Sequence, residues 1–313
     1  MSMLRISLFG TVQITHSDWL SRAKITPRAQ ALLSYLLLQG RRLHPREVLV
    51  HRLWGDYPEN KARGCLSTTL WRLRRVLEPE NVTQGTYLLT TYADEVGFNW
   101  DSDFWLDVAV FENRATATLG RSLESVARVD VEALENTVAL YTGDLLEGFY
   151  EDWAIREQER LSCLYLDCLE YLMRYYRHRH KYEKSMAYGQ RLLAQEPIRE
   201  SIHREMMRLY VENGQRALAV RQYETCRDIL AKELNLAPML ETQALYAEIL
   251  QGEVSTTRPA NQDGLWQALA QLSEATRNFE NAKHQLKLVG QKLDQTQQQL
   301  QTALRLVEHL TNR

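Results

Sequence analysis

Cysteine is scarce: four in 313 residues (Cys65, Cys163, Cys168 and Cys226), with no CxxC pair. That excludes a disulfide scaffold and a cysteine zinc centre, and a reducing, cytoplasmic setting is expected. No run of eighteen apolar residues occurs, so no membrane-spanning helix is expected. The opening Met1-Ser-Met-Leu-Arg-Ile lacks a charged segment followed by an apolar core, so no secretory leader is expected either. The glycine patterns that cradle phosphates, G-x-x-x-x-G-K-[ST] and G-x-G-x-x-G after a strand, are missing, as is the G-x-S-x-G elbow.

The remaining candidates for chemistry are weak. His178-Arg179-His180 is the densest histidine group, but it lacks the carboxylate and cysteine spacing of a zinc site and reads as solvated helix surface. Asp144, Glu147, Glu151 and Asp152 crowd one turn, which interleaved Leu145, Leu146, Phe149 and Trp153 mark as a hydrophobically plugged corner rather than a cation site. Cys163 and Cys168 have no catalytic base beside them. No enzyme, metal or cofactor is implied.

What is present is asymmetric charge. The formal net charge is −2, yet residues 1–80 hold 13 Lys and Arg against 6 Asp and Glu, a net of +7, which leaves −9 on the rest. A basic module joined to an acidic remainder suits a polyanion contact at one end.

The element pattern sharpens this. Leu4, Ile6 and Leu8 share one parity, and Val12 and Ile14 follow Phe9-Gly10, which predicts a short β-hairpin. Thr26-Pro27 opens a helix with an expected side-chain cap, its apolar run Ala29, Leu32, Leu33, Leu36 and Leu37 ending at Gly40. His44-Pro45 is read as the start of a second helix running to Trp54-Gly55. A third helix spans Pro58 to about Leu77, and Tyr87–Thr91 and Val96–Trp100 predict a hairpin whose tip, Tyr92-Ala93-Asp94-Glu95, is acidic. Strands, three helices and a terminal hairpin are the parts of a winged helix-turn-helix.

Leu66, Leu70, Leu73 and Leu77 fall in one narrow stripe of the third helix at 100° per residue. The opposite side carries Lys61, Gly64, Thr68, Trp71, Arg72 and Arg75, flanked by Arg63, Ser67 and Arg74. Cations, hydroxyls and small residues on an exposed helix face suit the DNA major groove, where Arg reads guanine and other cations neutralise phosphates. These nine residues are the predicted double-stranded DNA contacts. The acidic hairpin tip argues against strong phosphate contact by the wing.

From about Asp103 to Gln251 the β signals vanish, and helical segments break at Gly143–Gly148, His180-Lys181, Pro197, Asn213-Gly214 and Pro238. Leu172, Met173, Tyr176, His180 and Ser185 recur 34 residues later as Met206, Met207, Tyr210, Gly214 and Ala219, the period of tetratricopeptide (TPR) helix pairs. Met173 and Met207 occupy a position where that consensus has glycine. A polar linker, 252–263, leads to a heptad seam with Leu265, Leu272, Phe279, Leu286, Leu293, Leu300 and Val307 at a, which predicts a coiled-coil helix over 264–313 that self-associates or folds back. The chain is therefore predicted to be mainly α: 1–101 winged helix, 102–251 TPR-like, 252–263 linker and 264–313 coiled coil.

These residues resemble a known family. Residues 4–100, with Leu53-Trp54-Gly55 and Leu70-Trp-Arg-Leu-Arg-Arg-Val-Leu77, look like the OmpR-type winged helix. Ser102-Asp-Phe-Trp-Leu-Asp-Val-Ala-Val-Phe-Glu112 and Tyr141-Thr-Gly-Asp-Leu-Leu-Glu-Gly-Phe-Tyr-Glu-Asp-Trp153 resemble the bacterial transcriptional activator domain, and the pairing resembles the antibiotic-regulatory-protein (SARP) class of activators. The resemblance implies DNA binding by the N-terminal module, with the helical module serving dimerisation, RNA polymerase contact or sensing of a small-molecule effector. The coiled coil is not part of the family's minimal pattern. Against a sequence-specific regulator stands a TPR and coiled-coil scaffold, or a ligand sensor, with a degenerate winged helix.

Overall fold

Leu4, Ile6 and Leu8 alternate with polar residues at the start of the chain, and all three are fully buried. They build β1 (Leu4–Ser7), which pairs antiparallel with β2 (Gln13–His16). A computed structural model describes residues 3–16 and 25–252, which fall in one compact unit, Met1–Gly252. The heptad segment lies outside the described residues.

Three helices come next: α1 (Pro27–Leu38), α2 (Arg46–Trp54) and α3 (Glu59–Leu77). Pro27 supplies a helical φ at the first position of α1, and Gly40, at φ +69°, turns the chain away after its last turn. The expected Thr26 side-chain cap does not form. Its backbone carbonyl instead accepts the first helical bonds, from Ala29 and Gln30 N at 2.9 Å. His44-Pro45 is likewise not a helix start. It forms a two-residue strand, β3, that pairs with β5 (Glu95–Phe98), itself paired with β4 (Leu88–Thr90), in the order β3-β5-β4. A proline fits there because an edge strand can spare one N–H.

A third strand corrects the all-helical reading of the segment after Asp103. β6 (Phe104–Leu106) lies parallel to β1, with Leu4 opposite Phe104 and Ile6 opposite Leu106, giving the order β2-β1-β6. Asp107, the next residue, starts α4 (Asp107–Leu119). Its carboxylate accepts bonds from Leu8 N (2.8 Å), Phe9 N (3.1 Å) and Val108 N (2.7 Å), closing the end of β1 and the open first turn of α4 together. Burial pushes this carboxyl's pKa up, and the N–H bonds oppose that shift.

After α5 (Arg128–Val138) the acidic turn docks onto the first hairpin. Gly10 N donates to Asp144 O (2.8 Å), Leu146 N to Leu8 O (2.9 Å) and Glu147 N to Gly10 O (3.0 Å). Leu145 and Leu146 are fully buried, and the Trp153 ring meets Tyr35 of α1 edge-on at 5.4 Å. The winged-helix part and the helical part thus share strands, backbone bonds and core.

The helical run comprises α6 (Asp152–His178), α7 (Tyr182–Gln195), α8 (Glu200–Glu212), α9 (Arg216–Leu234) and α10 (Leu240–Gln251). The 34-residue period is visible in the backbone. His180 and Gly214 both adopt left-handed φ (+54° and +72°), and each turn closes in the same way, Lys181 N on Tyr176 O and Gln215 N on Tyr210 O. Met173 fits because a glycine, Gly189, stands on the facing helix. A Cβ on Gly189 of α7 would overlap Met206 Sδ and come within 3.2 Å of Met173 Cε.

Candidate nucleic-acid interface

Helix α3 is placed by its apolar stripe. Ala62, Leu66, Leu70, Leu73 and Leu77 are buried at three- and four-residue spacing, each buried leucine contributing about 1.5–3 kcal/mol. Thr69 completes the stripe by returning its hydroxyl to Cys65 O (2.7 Å). Glu59 in the first turn and Arg74 and Arg75 in the last match the helix dipole.

The opposite face is open. Lys61, Gly64, Thr68, Trp71, Arg72 and Arg75 are all exposed, in a stripe that spans 15 residues, about 21 Å at 1.5 Å per residue. Two cations lie over exposed rings: Arg75 at 5.1 Å from the Trp71 ring centre and Lys61 at 5.0 Å from Tyr57. Trp71 is 59% exposed. Lys61, Arg72 and Arg75 have no carboxylate partner among the described residues.

The flanking residues are engaged within the protein. Arg63 pairs with Glu59 (2.7 Å) and with Glu47 of α2 (3.0 Å). Ser67 accepts a bond from Arg46 Nη1 at 3.3 Å. Arg74 turns toward the wing, donating to Leu88 O at 3.1 Å and pairing with Glu78 at 3.5 Å. Sequence periodicity put these three beside the exposed stripe, and the structure brings them onto α2 and the wing.

Two residues that the sequence pattern does not single out set the wing. Glu78, one residue past α3, has a buried side chain whose carboxylate accepts from Gly85 N (3.0 Å), Tyr87 N (2.8 Å) and Leu88 N (2.9 Å). Arg46, the first residue of α2, holds the tip: its Nε lies 2.9 Å from Asp94 and its N–H donates to Asp94 O at 3.2 Å. Asp94 is therefore paired with a cation, whereas Glu95 beside it has none among the described residues. Tyr92 at the same tip is fully exposed.

Among the described residues no group of His, Cys, Asp and Glu could hold a metal ion, and no helix is long and apolar enough to cross a membrane. His180 Nδ1 is bonded to Tyr182 Oη at 3.0 Å, Cys168 is buried and Cys163 exposed.

The chain is similar to several known proteins. The family model for the bacterial transcriptional activator domain matches residues 106–250. The regulatory protein AfsR of Streptomyces coelicolor is 28% identical over 276 residues, which is 87% of this chain but only 25% of AfsR, so the chain spans about a quarter of that relative. The transcriptional regulatory protein MoaR1 of Mycobacterium tuberculosis is 27% identical over 240 residues, 72% of each chain. In structure, the chain resembles Mycobacterium tuberculosis EmbR, solved in complex with a low-affinity phosphopeptide. The TM-score is 0.67 at 17% identity, over 88% of this chain and 72% of that one, and the likeness is one of fold.

Proposed function

We propose, from the premise that this chain belongs to the SARP-type bacterial transcriptional activators and carries their activator domain over residues 106–250, that it regulates transcription by sequence-specific binding of double-stranded DNA. The observation that carries this reading is α3: one face largely apolar and buried, the other exposed with three cations that have no carboxylate partner among the described residues. A helix about 10–12 Å across matches a major groove about 12 Å wide.

In this account Lys61, Thr68, Trp71, Arg72 and Arg75 meet the duplex, with Arg72 and Arg75 foremost at bases or phosphates. Arg63, Ser67 and Arg74 position the helix against α2 and the wing, and Gly64 lies between the two groups of contacts. The winged helix covers 1–101 and the helical module 102–251, the latter serving dimerisation, polymerase contact or effector sensing in the cytoplasm. Two bound copies would select paired half-sites about one helical turn, or a multiple of it, apart.

Recovery of genomic fragments by the full chain tests the reading. Enrichment of a recurrent site, lost on joint replacement of Arg72 and Arg75 by alanine, supports it. Recovery of proteins with no enriched DNA favours a scaffold instead.

A further inference from the structure

Among the glycines of the described residues, most have a visible reason within the protein. Gly10, Gly40, Gly85, Gly148, Gly214 and Gly252 hold left-handed φ, and at Gly55, Gly97, Gly143 and Gly189 a Cβ would strike a neighbour. Gly120 lies past the end of α4, in open space. Gly64 is different. It lies inside a 19-residue helix, its φ is not left-handed, and apart from its chain neighbours and the backbone of its own turn no atom of the described residues comes within 4 Å of where a Cβ would stand. Glycine is the worst helix former after proline, so this position weakens α3 with no return in the protein's own packing. Gly189, the other glycine inside a helix, shows the contrast: there Met206 fills the space.

The location supplies the reason. Gly64 lies on the exposed stripe, one turn from Lys61 and one turn from Thr68, with Trp71 two turns along. Thr68 spends its hydroxyl on Gly64 O at 3.0 Å rather than reaching outward. The result is a bare stretch of helix backbone bounded by cations, Lys61 at one end and Arg72 and Arg75 at the other. Missing side chains let a backbone approach a ligand more closely than a clothed helix can.

We infer that Gly64 is the point of closest approach between α3 and the duplex, kept bare at the expense of helix stability so that the flanking cations reach the groove. The inference rests on α3 being the DNA-contacting helix. It assigns Gly64 a positioning role without charge: a side chain there would lift the helix off the groove while every cation remained in place.

The test measures stability and affinity on the same variants of the 313-residue chain, using as probe a duplex that the unsubstituted chain enriches from genomic DNA. Gly64→Ala should raise the melting temperature by about 2 °C. The same variant should lose at least about tenfold in affinity, and the slope of log affinity against log salt should fall in magnitude by about 0.9 for each phosphate that a lifted cation no longer reaches. Gly64→Gln, longer and also favourable in a helix, should lose more. A fall in melting temperature for Gly64→Ala would mean that the glycine serves the fold, and would overturn the proposal. So would wild-type affinity in both variants. An Arg72→Ala control separates the two failures: if it weakens binding while the Gly64 variants do not, α3 remains the interface and only the close approach is lost. If none of the three weakens binding, the interface reading itself fails.

Discussion

The buried Glu78 carboxylate accepts the backbone N–H of Tyr87 at 2.8 Å, tying the end of the exposed basic helix to the root of the wing. With Gly85 and Leu88 it satisfies three N–H groups of the connecting loop, two of them buried. The side chain is only 1% exposed. Glu78→Ala should destabilise the protein by about 3 kcal/mol, the order expected when buried donors lose their acceptor. Hydrogen exchange should rise first at Gly85, Tyr87 and Leu88. Unchanged protection there would show that the carboxylate does not hold the wing.

Arg63 and Arg72 are nine residues apart on one helix, and they should behave differently. The Arg63 charge is committed to Glu47 and Glu59, whereas Arg72 has no carboxylate partner among the described residues. Arg63→Ala should leave DNA affinity within about threefold of wild type, since two carboxylates at 2.7 and 3.0 Å already offset its charge. Arg72→Ala should weaken binding by tenfold or more, about 1.4 kcal/mol. Equal losses would show that internal pairing does not decide which cations face the DNA.

Asp107 ties the two parts of the chain together through Leu8, Phe9 and Val108. An asparagine there offers one acceptor oxygen and turns an NH2 group toward backbone donors. Asp107→Asn should cost about 2–4 kcal/mol. Because β1, β6 and α4 share this point, melting followed by fluorescence and by circular dichroism should shift together. A shift confined to one probe would show that the parts unfold separately.

His203 is fully buried in α8, with Nε2 2.8 Å from Pro197 O and Nδ1 2.7 Å from the Gln222 amide. That geometry suits a neutral ring, Nε2–H donating and Nδ1 accepting. Burial lowers its pKa from 6.5 despite the opposing hydrogen bonds and Glu200. A depressed histidine binds protons more readily in the unfolded chain, so its contribution is complete above 6.5 and lost as pH falls toward the lowered value. Melting temperature should therefore drop between pH 7.5 and 5.5. His203→Gln should reduce that drop while lowering stability at neutral pH. An unchanged slope would exclude His203 as a source.

How legible this was in the sequence depended on range. The stripe Leu66, Leu70, Leu73 and Leu77 is a local period, and α3 matches it to within a residue or two. The 34-residue spacing of His180 and Gly214 is also local, and both residues turn the chain alike. Partnerships across the fold left no local mark. Phe104–Leu106 is three residues long and becomes a strand only because β1, about 100 residues earlier, offers an edge. His44-Pro45 looks like a helix start until β5 pairs with it. At the interface, periodicity assigned exposure to Lys61, Thr68, Trp71, Arg72 and Arg75. It could not show that Arg74 turns to Leu88, that Arg63 is held by Glu47, or that Arg46 reaches Asp94, because those partners lie on other elements. Glu78 was unreadable for the same reason.

The most direct test of the central claim is the salt dependence of DNA binding by the full chain, wild type against the Arg72→Ala, Arg75→Ala double variant. If both guanidinium groups neutralise phosphates, the slope of log affinity against log salt should fall in magnitude by about 1.8, or 0.9 for each contact. If they read bases instead, affinity should collapse for the enriched site while non-specific binding stays near wild type. A double variant that binds the site with wild-type affinity and wild-type slope would contradict the account.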